Sequence, residues 1–252
     1  MDLLSLLSYP KIEDIKSALF IQPHPDDNEI GAGGLMCLLS QKGIPVYGLT
    51  ITQGRGGSLD PSLTPEACGK LRQKEANEAM KITHTINLGD LGYHDQNPFT
   101  HEKLVEDLVK VIRQIRPQAI FTVDDALKNE MHPIHIQVGK AVKEAYMRSG
   151  QFYYPYHEQI VHENAFSPEI IGFYFTDDEN TIVDISEVYK QKLEAIKAHH
   201  SQIDEATIQL YDQIFAFHAS DTPYKRIESY KLLSRVHTHC FALTKSLQTK
   251  IK

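Results

Sequence analysis

SALFIQPHPDDNEIGAGG, residues 17–34, opens on an apolar run, passes through a histidine and a cluster of acids, and ends in glycines. Ser17–Gln22 has the length of a buried strand, and its unbroken apolar character lacks helical spacing. A helical pattern follows from about Gly34 to Lys42. The same alternation repeats down the chain. A strand at Val46–Thr52 (VYGLTIT) leads into the glycine loop QGRGG, and Glu66–Lys81 reads as a helix. Thr85–Leu88 is a short strand. His101–Arg116 places Leu104, Leu108, Val111, Ile112 and Ile115 at helical spacing, and Pro117 ends it. Ala119–Val123 (AIFTV) is the next strand, followed by an amphipathic helix at Ile136–Met147. Short strands alternating with longer helices mark βαβ units, so the expected fold is α/β with a mostly parallel sheet flanked by helices.

The second half is less regular. Gln151–Phe166 is rich in Tyr, Phe and His; Phe152–Tyr156 could wall a ligand site, but packing or an oligomer contact is favoured. Short strands are expected at Ile170–Phe175 and Thr181–Asp184, then a helix at Ser186–His199 and a mainly helical C-terminal part. No repeat, low-complexity tract or linker interrupts the pattern, so residues 1–252 are expected to form a single domain.

Bulk properties narrow the function. The chain has 252 residues, 41% of them hydrophobic, enough for one sizeable core. A net charge of −7 leaves no basic stripe to neutralise phosphates, which argues against nucleic acid as a partner. Cys37, Cys68 and Cys240 are an odd, scattered set, which suits a reducing compartment rather than a disulfide framework. The N-terminus MDLLSLLSYPKIEDIK has no basic residue before its apolar stretch, and no run approaches the roughly 20 apolar residues that span a bilayer. A cytoplasmic protein without a membrane partner is therefore expected.

The chemistry-bearing residues follow the strands, and in open parallel sheets ligands bind beyond the carboxyl ends of the strands, where strand order reverses. His24 and Asp27 are three apart, which in a first helical turn puts both side chains on one face, a pair suited to a divalent metal and to zinc above all. Asp26 must point elsewhere and is free to act on a metal-activated water. Taken alone, HPDD reads equally well as an Asp-rich helix cap. His132 and His135 repeat the spacing at the mouth of a later helix. Catalytic zinc takes three protein ligands, so one of these two would complete the set with His24 and Asp27. The other would serve as an acid or electrostatic stabiliser. Chance proximity among 13 histidines is the competing account.

These motifs resemble the LmbE-like, or PIG-L, family of N-acetylglucosaminyl deacetylases, which includes the deacetylases of mycothiol and bacillithiol synthesis. HPDDNEIGAGG matches that family's A-H-P-D-D-x-E with Pro23 in place of Ala, and His132-Pro133-Ile134-His135 matches its H-P-D-H. QGRGG, Arg72-Gln73-Lys74-Glu75-Ala76, LGYHD ending at Asp95, and VDISEVYKQKLEAIKAHHSQ resemble further segments, so the likeness spans about residues 17 to 202. The resemblance implies a Rossmann-like fold and one zinc ion per chain held by His24, Asp27 and His135. It implies Asp26 as general base and His132 as the acid or cation stabilising the oxyanion. Arg72 and Asp95 fall where the family contacts sugar or substrate, and a homo-oligomer is expected. The implied substrate is a small N-acetyl amino sugar or its conjugate.

Three departures stand out. Ile134 replaces the Asp of H-P-D-H, which weakens His132 as an acid unless Asp124, Asp125 or Glu130 substitutes. Arg55 stands where the family often has Glu; it could favour an anionic substrate, or simply face solvent. The family's C-terminal acidic-aromatic segment is replaced by His237-Thr238-His239-Cys240-Phe241, where a buried Cys beside a surface His is favoured over a second metal site. Rival functions are a zinc amidase of larger conjugates and a zinc-binding protein with impaired catalysis. A dinucleotide binder is disfavoured, because Gly31-Ala32-Gly33-Gly34 is not G-x-G-x-x-G and the acids would meet pyrophosphate.

Overall fold

A computed structural model of the chain describes residues 7–240, except 59, 98 and 157–160. Seven strands form one twisted sheet in the order β3-β2-β1-β4-β5-β7-β6. In chain order the elements are β1 (Ala18–Gln22), α1 (Asp27–Gln41), β2 (Val46–Thr52), α2 (Pro65–Ile82), β3 (Ile86–Tyr93) and α3 (His101–Ile115). There follow β4 (Ala119–Val123), α4 (Pro133–Arg148), β5 (Ile170–Tyr174), β6 (Thr181–Asp184), α5 (Tyr189–Lys197), α6 (Glu205–His218) and β7 (Ile227–Ser234). Strands β1 to β5 pair in parallel, while β7 runs antiparallel to both β5 and β6. Among the described residues no helix is long and apolar enough to cross a membrane.

Alternate residues of each central strand serve opposite faces of the sheet. Ala18 and Phe20 of β1 pack with Leu35, Met36 and Leu39 of α1, whereas Leu19 and Ile21 join Leu108 and Ile112 of α3 and Val138 and Val142 of α4. Both faces are thus covered, which is why the central strands read as continuous apolar runs. At about 25 cal/mol per Å² of apolar surface removed from water, these two clusters dominate the driving force for folding.

Four expectations need correction. Helix α1 begins at Asp27, not near Gly34, so the glycines lie inside it. They serve close packing rather than a turn: a Cβ on Gly31 would stand 2.3 Å from the Tyr174 ring, and one on Gly34 would stand 2.6 Å from Ile185. Strand β3 extends to Tyr93, which takes Asp90 into the sheet and leaves a shorter loop ahead of Asp95. Among the described residues the C-terminal part is not mainly helical, because α6 is followed by β7, which fills the gap between β5 and β6. Finally, Cys240 is exposed and it is His237 that is buried. His237 Nδ1 receives the Ser234 backbone N–H at 3.1 Å; Phe241 lies outside the described residues.

Candidate active site

Strand order reverses between β1 and β4, so the loops leaving those two strands open into one crevice. The first carries His24 to Asp27, the second Asp124 to His132. Asp26 occupies the position before α1 with φ 121°, and its side chain makes no cap hydrogen bond. The helix-cap account of HPDD therefore fails. A non-glycine residue in that region costs about 1–3 kcal/mol, and here the twist turns the carboxylate towards the crevice. Pro133 supplies the fixed φ for the first position of α4, which places His132 just before the helix and His135 in its first turn.

The two loops bring their functional groups into contact. Ligand atoms of His24, His132 and His135 all lie within 4.8 Å of one another, enough to hold a metal ion. The Asp27 carboxylate bridges two of these rings. Its Oδ2 is 3.4 Å from His24 Nδ1 and its Oδ1 is 3.3 Å from His135 Nε2. Oδ2 also accepts the His24 backbone N–H at 2.9 Å, so His24 and Asp27 meet through a tight turn rather than along a helix face. On the far side of the His135 ring, Nδ1 lies 3.0 Å from Glu130 Oε2, and Glu130 Oε1 accepts the His132 backbone N–H at 2.7 Å. Glu130 thus orients His135, not the His132 ring. Asp124 is engaged with Ala126 and Thr176, and Asp125 with Lys143, so neither serves His132. Ile134 is buried among the apolar side chains of α3 and α4, a position where a carboxylate would lose its solvation.

A cavity of about 290 Å³ opens above these rings, lined by His24, Asp26, Gly56, Gly57, Arg72, Asp95, His132 and Gln202. Arg72 donates to the Pro25 carbonyl at 2.7 Å, to the Gly54 carbonyl at 3.2 Å and to Asp26 Oδ2 at 3.1 Å. Asp95 accepts the backbone N–H groups of Arg55 at 2.8 Å and Gly56 at 2.9 Å. Both residues border the cavity, and the contacts they make hold the Asp26 turn and the glycine loop, while the Arg72 Nε is buried without a hydrogen-bond partner. Arg55 is not among the lining residues. Its Nε donates to Gln53 Oε1 at 2.7 Å, and its Nη1 is 3.7 Å from Glu66. The exposed Phe152, Tyr153 and Tyr156 do not line the cavity either, and they are not core.

Electrostatics separates the two aspartates. Burial, and next the charge of Asp27, pushes Asp26 up to about 6, against the opposing pull of Arg72. Burial also opposes ionisation of Asp27, but hydrogen bonds from His135 and His24 outweigh it and hold that carboxyl well below the usual range. His135 is raised to about 9 despite burial, because it faces Asp27 and Glu130. Burial and the neighbouring His24 and His135 lower His132 instead.

A further group was not legible as part of the site. Glu75, three residues after Arg72 and so on the same helix face, accepts the backbone N–H and hydroxyl of Ser201 at 2.8 and 2.7 Å. This presents Gln202 to the cavity. His199, wholly buried, lies 3.3 Å from Glu29 in the first turn of α1. The signals for these residues were the R-x-x-E and A-H-H-S-Q segments, which carry no chemistry until the fold brings them together.

A family model described as PIG-L: GlcNAc-PI de-N-acetylase matches residues 19–146, a span that holds both histidine motifs. The chain belongs to the PIG-L family. Diacetylchitobiose deacetylase of Thermococcus kodakarensis is 33% identical over 79% of this chain and 74% of its own length. A probable N-acetyl-α-D-glucosaminyl L-malate deacetylase 2 of Bacillus cereus is 27% identical over 85% of this chain and 96% of its own. The N,N'-diacetylchitobiose deacetylase structure from Pyrococcus horikoshii, complexed with its inhibitor, superposes with a TM-score of 0.86 at 27% identity, covering 97% of this chain and 94% of that one. In this PIG-L member an acidic–aromatic pair does occur near the C-terminal end, ahead of residues 237–241: Tyr230 donates its hydroxyl to Glu228 at 2.6 Å on β7.

Proposed function

We propose that this PIG-L protein is a zinc-dependent hydrolase that removes the acetyl group from the nitrogen of an uncharged N-acetylglucosamine-type sugar. One observation carries the reading. Asp27 spans His24 and His135 at 3.4 and 3.3 Å, and donors bound tetrahedrally to zinc at about 2.0–2.1 Å stand roughly 3.3 Å apart. One Asp27 oxygen is turned to each ring, and the ligand nitrogens of His24 and His135 lie within 4.8 Å of each other, which supports His24, Asp27 and His135 as the ligands of one ion. Glu130 behind His135 supports the same assignment, since metal-binding histidines donate their other ring N–H to such a carboxylate. His132, like His24 and Asp26, lines the cavity, and no Asp27 oxygen is paired with its ring as with those of His24 and His135, which favours a role facing the substrate.

The bound ion would lower the pKa of its water to about 7 and polarise the amide carbonyl. Asp26 takes a proton from the attacking water. Arg72 engages Oδ2, which leaves Oδ1 for the proton in transit. The same carboxyl then returns that proton to the leaving amine. His132, with its lowered pKa, acts as a neutral ring N–H donor to the developing oxyanion rather than as a cation. Positioned acid–base groups of this kind contribute about 10²–10⁴ in rate.

An uncharged substrate follows from the guanidinium groups. Both terminal nitrogens of Arg72 are engaged, by two carbonyls and Asp26, and its unpaired Nε is buried, while Arg55 is turned to Gln53 and Glu66, so neither guanidinium is directed at a carboxylate or phosphate on the sugar. The similarity to diacetylchitobiose deacetylase points the same way. The test combines metal analysis with acetate release from N,N'-diacetylchitobiose, N-acetylglucosamine and an N-acetylglucosaminyl malate. About one ion per chain and preferred turnover of an uncharged sugar are expected. Fully metal-loaded protein that releases no acetate from any of the three would refute the deacetylase reading. A kcat/KM at least tenfold higher for the malate conjugate would refute the uncharged substrate.

A further inference from the structure

Outside the cavity, a set of buried charged groups lies where α1, α5 and β7 meet. Lys192 of α5 and Glu228 of β7 form an ion pair at 2.6 Å, with side chains only 1% and 3% exposed. The Glu228 carboxylate is fully subscribed. Oε1 accepts from Lys192 Nζ and from the backbone N–H of Gly34 at 2.7 Å; Oε2 accepts from the Tyr230 hydroxyl and from the backbone N–H of Leu35 at 2.8 Å. Gly34 and Leu35 lie in the middle of α1, where a backbone N–H ordinarily serves the carbonyl four residues back. A side chain from another strand competing for two such protons ties down the helix at that point. Gly34 makes the approach possible, since a Cβ there would stand 2.9 Å from Glu228 Oε1.

We propose that Glu228 is a positioning residue of the active site: it locks the helix that begins at Asp27 to the helix that delivers His199 and Gln202. Gly34 is seven residues from Asp27, roughly 10 Å along a helix that behaves as a rod at 1.5 Å per residue. Lys192 sits on the turns leading to the A-H-H-S-Q segment, and its stem passes Gly33, where a Cβ would meet Lys192 Cγ at 3.3 Å. The ammonium lies 4.2 Å above the Phe215 ring, which ties α6 into the same node. The bonds are directional, and stability alone does not call for them, because apolar groups of similar volume often serve a buried site equally well. What they add is register between the metal-binding turn and the opposite wall of the cavity.

The proposal rests on the metal-hydrolase reading. Removing one partner would leave a lone buried charge, so the test uses the double variant Lys192→Met/Glu228→Gln, which is neutral and close in shape. A carboxamide offers one acceptor oxygen in place of two, so the hold on Gly34 and Leu35 is halved. Two quantities are read on folded protein: kcat per bound metal on N,N'-diacetylchitobiose, and the dissociation constant for cobalt(II) by visible absorption. About a tenfold loss in one or both is expected, and a loss of threefold or more in either supports the proposal. Both values within threefold of the parent overturn it, whatever happens to Tm. If the parent itself releases no acetate from any of the three substrates named above, the deacetylase reading fails separately and the cobalt titration still decides the role of Glu228.

Discussion

Glu130→Gln is the sharpest single test of how the site is held. Each oxygen of Glu130 has its own partner, the His135 ring at 3.0 Å and the His132 backbone N–H at 2.7 Å, and the side chain is only 15% exposed. The carboxamide that replaces it can accept from one of them only. If its NH₂ faces His135 Nδ1, it favours the tautomer that carries the proton on Nε2, the atom facing Asp27 and the one needed for a metal. If its oxygen faces His135, the NH₂ confronts the His132 N–H and loosens the start of α4. Loss of an outer carboxylate of this kind typically costs 10–100-fold in metal affinity. That is about 1.4–2.7 kcal/mol, the size of a hydrogen bond to a charged group. Competition against a chelating dye gives the zinc dissociation constant directly, and thermal unfolding with and without zinc gives a second reading. A tenfold weaker site loses about 1.4 kcal/mol of metal-dependent stabilisation at fixed free zinc. Affinity within threefold of the parent would show that Glu130 does not orient a ligand.

Other outcomes follow from the same geometry. Asp26→Ala should lower kcat by about 10²–10⁴ and His132→Ala by less, since no carboxylate supports the His132 ring; equal losses, or a larger one at His132, would reverse the ranking. Arg72→Met removes the guanidinium that pulls Asp26 down, so the base stays protonated to higher pH and the acid limb of kcat/KM moves upward; a limb that moves to lower pH contradicts this assignment. Gly34→Ala drives a methyl into Ile185 and the Glu228 carboxylate, and overpacking of that kind costs about 1–3 kcal/mol. Calorimetry should show Tm lower by several degrees, and an unchanged Tm would mean that the helix backs away freely.

Much of the parallel half of the fold was readable because its strands are buried on both faces, and Ser17–Gln22 and Ala119–Val123 show this as bare apolar runs. Strand β7 was not. Glu228 interrupts its apolar alternation, and only the partners on α1 and α5 explain a carboxylate in that interior position. The two histidine-bearing pairs that meet in the crevice were legible from spacing and from their place after strands. The roles of Arg72 and Asp95 were not, because their partners, mostly backbone groups, are contributed by remote turns. Glu130 was visible as an acid near the histidines, but which ring it serves depends on how α4 begins. Likewise Arg55 carried the right charge for an anion, and only the presence of Gln53 and Glu66 reveals where that charge is directed.

The contorted backbone at Asp26 has a consequence for the chain's history as much as for its chemistry. Glycine alone is at ease at φ 121°, and glycine has no carboxylate. Comfort and reactivity ask for different amino acids at this one point. The discrepancy, about 1–3 kcal/mol, is a sizeable part of the roughly 5–15 kcal/mol by which proteins usually stay folded. The snug fit of α1 against its neighbours is what lets the molecule tolerate so uneasy a corner at the mouth of its crevice.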